Sequence, residues 1–98
     1  MKTRAVLFPR ADAGGEWAAS SPDGLLGVTL RPCAGGLYVE RRHTVDFSGA
    51  ITQGLMFADE TEFHRWCDAD DARYDYPLMW INMRRAGGDL LRRLPSIS

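Results

Sequence analysis

Residues 57–77, FADETEFHRWCDADDARYDYP, decide the fold, because the hydrophobic period of the chain changes there from two to about 3.6. Asp59 followed by Glu62 fits a capping box, and acids in a first turn suit the positive end of the helix dipole. Phe63, Trp66 and Cys67 stand at i, i+3 and i+4, a single apolar stripe. Glu60, His64, Arg65 and Asp68 fall off the stripe at spacings that allow ion pairs along a helix. The expected element is an amphipathic helix that lays its Phe and Trp on a sheet and turns its charges to water.

Upstream, the chain reads as strands. Thr3–Phe8 is short and apolar and ends at Pro9; ADAGG at 11–15 has loop composition. Glu16–Ser20 leads into Ser21-Pro22-Asp23-Gly24, whose Pro and Gly positions suit a type I turn, and Leu25–Arg31 follows with Leu26, Val28 and Leu30 on one side. This is a hairpin. Pro32–Gly36 supplies the next turn. From there Leu37, Val39, Arg41, His43, Val45 and Phe47 share one parity, a core face with two polar misfits. Tyr38, Glu40, Arg42, Thr44 and Asp46 share the other. Ser48-Gly49 turns the chain again, and Ile51, Leu55 and Phe57 mark a further strand across Gln53.

Downstream, residues 77–94 fit two patterns. Pro77 suits a first helical position, and Met79, Met83, Ala86, Leu90 and Leu94 recur at helical spacing. Met79, Ile81 and Met83 also alternate, with AGGD as a hairpin turn. Gly87-Gly88 weakens a helix by roughly 1 kcal/mol per Gly, so the favoured expectation is a helix broken or kinked there. The fold class is α+β: one domain over residues 1–98, an antiparallel meander of four or five strands, covered on one face by the helix starting near Asp59, with a second helical or hairpin segment at the C-terminal end.

Composition narrows the functional classes. At 98 residues, 45% hydrophobic and 26% charged, the chain is sized for one core. No apolar run approaches the roughly 18 residues a membrane span needs, and Pro9-Arg10 cut the first apolar patch too short for a signal peptide. Two Cys make no disulfide framework, so a reducing, cytoplasmic setting is expected. The net charge of −1 divides into +1 over residues 1–58, −5 over 59–76 and +3 over 77–98. Eleven of twelve cations are Arg, a bias that suits a GC-rich bacterial genome.

Candidate sites follow from residues that break the pattern. Arg41 and His43 lie between Val39 and Val45 on the core parity, and a buried unpaired Arg is prohibitively costly. The plainest expectation is a bulge near Arg41-Arg42 that turns both residues outward. The alternatives are a buried pair with an acid from 68–75, or a small-ligand, anion-binding or catalytic site centred on Arg41 and His43, in which Arg would offer a fork and His a titratable donor. His64 and Cys67, with Cys33 and His43, form the inventory of a zinc site without its spacing, so no metal is assigned. A buried Cys67 and an exposed His64 are expected. Asp68, Asp70 and Asp71, with Asp75, lack the Gly and terminal Glu of a calcium loop. With Arg84, Arg85, Arg92 and Arg93 they make opposed charge patches, suited to pairing within the chain or with another copy. Four Arg beside a −5 block are a weak footprint for nucleic acid. No Gly pair fits a phosphate-binding or cofactor motif, and no nucleophile motif is present. The expectation is a non-catalytic domain without a cofactor, acting through protein–protein contact, including homodimerisation.

Overall fold

The computed structural model describes residues 16–45 and 49–94. Among these residues four antiparallel strands run β1 (Trp17–Ser20), β2 (Leu26–Cys33), β3 (Gly36–Val45) and β4 (Gly49–Phe57), hydrogen-bonded in that order. Three helices follow: α1 (Glu60–Ala69), the single turn α2 (Ala72–Asp75) and α3 (Pro77–Arg93). The fold is α+β, an antiparallel meander with helices packed on one face. The expected strand over Thr3–Phe8, the loop at 11–15, the alternation at Asp46 and Phe47 and the turn at Ser48 lie outside the described residues.

The β1–β2 turn is built from its own side chains. The Ser21 hydroxyl donates to Asp23 Oδ1 at 2.6 Å and accepts the Leu26 N–H at 3.0 Å, while the Leu25 N–H donates to Asp23 Oδ1 at 3.0 Å. Gly24 sits at φ 76°, the left-handed region in which a side chain is strained, and its N–H donates to the Ser21 carbonyl at 3.0 Å. The next turn is tighter than expected. Pro32 and Cys33 pair with Leu37 and Gly36, so Ala34-Gly35 alone connect the strands.

Register places Leu26, Val28 and Leu30 opposite His43, Arg41 and Val39, and these residues with Leu37 and Phe57 share the face under the helices. Pairing is continuous from Leu26↔His43 to Cys33↔Gly36 and from Leu37↔Phe57 to Val45↔Gly49. No bulge interrupts β3, which corrects the outward placement expected for Arg41 and His43. Both stay on the core face.

Asp59 caps α1, its Oδ1 accepting the Glu62 N–H at 2.9 Å. Phe63 and Cys67 are fully buried, and Trp66 is half-buried between Phe57 and Trp80, with ring centroids at 5.5 and 5.4 Å. α3 lies across β1, β2 and β3, and α1 lies beside it over β4. Each buried Leu, Val, Phe or Met side chain contributes roughly 1.5–3 kcal/mol, and Leu26, Val28, Leu30, Leu37, Val39, Phe63 and Met83 all fall at or below 2% exposure. Trp80, which no apolar spacing singled out, is also buried. Its indole N–H donates to the Cys67 carbonyl at 2.8 Å, satisfying a carbonyl at the α1 terminus.

Residues 77–93 form one unbroken helix rather than a broken helix or a hairpin. The Gly pair is where α1 and α3 touch. A Cβ on Gly87 would stand 2.3 Å from the Phe63 ring, and one on Gly88 would stand 3.0 Å from Glu60 Oε2 and His64 Nε2. At Gly87 only Gly leaves room for Phe63.

Candidate functional site

Two places on this frame combine exposure with unusual chemistry: a recess at the α1–α2 corner, and the outer edge of β4.

The recess has a volume of about 480 Å³ and is lined by Leu26, Arg41, His43, Asp70, Asp71 and Tyr76, with Asp75 and two alanines completing the wall. Continuous β3 register brings Arg41 and His43 to it side by side. The break between α1 and α2 brings the acids. Asp70 Oδ1 accepts the Ala72 N–H at 2.9 Å, which closes the corner, and the same oxygen accepts Arg41 Nη2 at 3.1 Å. The Arg41 guanidinium also faces the Trp80 ring at 5.9 Å, a cation–π distance. Arg41 Nε is buried without a hydrogen-bond partner among the described residues. Arg41 is therefore paired to an acid of the 68–75 segment. Among the described residues, three carboxylates face one guanidinium, a balance that opposes an anionic guest.

Tyr76 fixes the outer wall. Its hydroxyl donates to Asp23 Oδ2 at 2.7 Å, tying the β1–β2 turn to the start of α3. Hydrogen bonds from the Ser21 hydroxyl, the Leu25 N–H and the Tyr76 hydroxyl hold the Asp23 carboxyl down at about 2.

The arginine patch divides. Arg84 makes a two-pronged contact with Asp68 at 2.9 and 3.1 Å, which holds the Asp68 carboxyl below its ordinary range. Arg92 bonds Glu60 and Asp89. Arg84, Arg85 and Arg92 share a second recess of about 340 Å³ with Glu60 and His64, which Arg93 does not line. His64 is half-buried there, 3.8 Å from Glu60, rather than fully exposed. Burial pushes the Cys67 thiol up to about 12, so it holds its proton at neutral pH and offers no thiolate beside His64. Both Cys are free, and among the described residues no group of three or more His, Cys, Asp and Glu converges as metal ligands would.

Among the described residues, the β4 edge carries neither charge nor cover. From Phe47 to Ala58 the sequence has no Asp, Glu, Lys or Arg. β4 pairs with β3 on one side, and among the described residues no strand lies on the other. Residues 49–54 and Met56 are exposed, including Ile51 at 63% and Met56 at 51%. Edge strands of natural sheets are ordinarily short, charged, bulged or interrupted by Pro, because a free row of N–H and C=O groups recruits other strands. β4 is nine residues long and has none of these protections. The uncharged run was visible in the sequence; what hid its meaning was that β4 could equally have been an interior strand.

Compared with protein-family models, curated proteins and solved structures, the chain matches none.

Proposed function

We propose that this domain is a non-catalytic interaction module whose contact surface is the outer edge of β4. The observation that carries the reading is a nine-residue, uncharged edge strand with Ile51 and Met56 exposed and no neighbour among the described residues. Such an edge binds by β-augmentation: main-chain hydrogen bonds supply affinity, and alternate side chains on the two faces supply selectivity. The sequestered Cys67 proton and the engagement of Arg84 and Arg92 with acids weigh against a thiol enzyme and against nucleic acid respectively. The reduced cytoplasm of a bacterium is the setting that the two free cysteines and the arginine bias support.

Amide hydrogen exchange tests the reading. In dilute protein, β4 amides that face away from β3 should exchange as freely as loop amides, while those bonded to β3 are slow. Slow exchange at every second and intervening residue of β4 under dilution would mean that the chain covers its own edge, and would overturn it.

A second reading rests on the Arg41 recess. Its shape and lining suit a small polar guest, and the excess of carboxylates selects for a cationic or neutral one. Isothermal titration with small amines, giving heat in the wild-type protein and none in Asp71→Asn/Asp75→Asn, would support it; no heat with any amine would remove it.

A further inference from the structure

We infer that the partner of the β4 edge is a second copy of this chain, joined by antiparallel β4–β4 pairing about a two-fold axis through Gln53. The inference rests on the reading of β4 as the contact strand and names its occupant. β4 runs from Gly49 to Phe57, so Gln53 is its midpoint and a two-fold there overlaps the whole strand, Gly49 against Phe57 of the second copy.

The side chains fit that register on both faces. On the face shared with Leu37 and Val39, Ile51 meets Leu55 of the second copy on each side of the axis. On the opposite face Ala50 meets Met56, and Thr52 meets Gly54, a small residue against a larger one in each pair. The Tyr38 ring already lies over Gly54, its hydroxyl 2.7 Å from where a Cβ would be, so Thr52 of the second copy would pack beside an aromatic edge and not into a void. At the axis a residue faces its own copy, where any charge would repel itself. Gln53 is uncharged, and its amide can both donate and accept across the axis. A closed two-fold of this kind uses the same patch twice, joins the two sheets into one and pairs the β4 edge of each copy with the other.

The test is a charge swap at the axis. Gln53 is exposed in the single copy, so Gln53→Lys and Gln53→Glu should both fold, which thermal melting by circular dichroism verifies. Light scattering should show a dimer for the wild-type protein, roughly ten-fold or more weaker association for each variant alone, and dimers restored when the two are mixed in equal amounts. If Ile51→Lys abolishes association but the mixture does not restore it, β4 is the contact in some other register and this inference fails while the reading beneath it stands. Wild type and both variants dimerising alike would place the contact elsewhere and overturn both. A wild-type monomer at high micromolar concentration excludes the second copy; rapid exchange of the outward β4 amides would then leave the edge open to a different chain, and slow exchange would sink the edge reading as well.

Discussion

Arg41 is held by groups of opposite character, the Asp70 carboxylate at 3.1 Å and the Trp80 ring at 5.9 Å. Its side chain and that of Asp70 are 19% and 17% exposed, so the pair is largely out of water and its loss is felt. Asp70 does more than its partner, because the same oxygen closes the corner onto the Ala72 N–H. Arg41→Met should lower stability to urea by about 1–2 kcal/mol, and Asp70→Ala should cost more, since it strands the guanidinium and opens the corner together. Equal losses would mean that the corner bond contributes nothing. Asp23 gives a second residue-scale expectation. Its carboxyl is held at about 2 against an ordinary 3.8, so the stability it contributes is complete above the ordinary value and is lost as pH falls toward 2. Tyr76→Phe removes one of the bonds that lower it, and the Asp23 carboxyl followed by NMR should then titrate at higher pH. An unchanged midpoint would mean that the Tyr76 hydroxyl does not reach it in solution.

At the scale of elements, the Gly pair of α3 separates local propensity from packing. Ala is favoured over Gly in a helix by roughly 1 kcal/mol, but at Gly87 the added carbon would meet the Phe63 ring, which is buried and cannot move aside. Gly87→Ala should therefore destabilise by about 1–3 kcal/mol. Gly88→Ala meets only the ends of Glu60 and His64, which can give way, and should be neutral or stabilising by thermal denaturation. Equal effects at both positions would contradict the packing described. The same contrast explains what could be read from sequence. The Asp59 cap, the Phe63–Cys67 stripe and the Ser21–Gly24 turn are local devices, and each element they specify is present. The continuity of α3 was not legible, because the reason for Gly87 is Phe63, more than twenty positions earlier in the chain. Likewise Arg41 and His43 stood out as misfits, but their common recess depends on Asp70, which no spacing within β3 reveals.

At the scale of the molecule, one sheet edge remains to be explained. The helices cover the Leu37–Val39 end of the sheet and leave Ile51 in water at the far end of β4, in a stretch that spends no charge on keeping other strands away. An interior strand has this composition for burial; on an edge strand it leaves a template for pairing open, which is the basis of the proposed contact. The most direct measurement is sedimentation velocity of wild type and Ile51→Lys across the micromolar range, with folding of both verified by their melting curves. A lysine at this exposed end of the edge strand costs the single copy almost nothing and opposes strand addition. The expected result is a sedimentation coefficient that rises with concentration for the wild-type protein and stays at the monomer value for Ile51→Lys. The same concentration dependence in both would contradict the assignment of β4 as the contact surface.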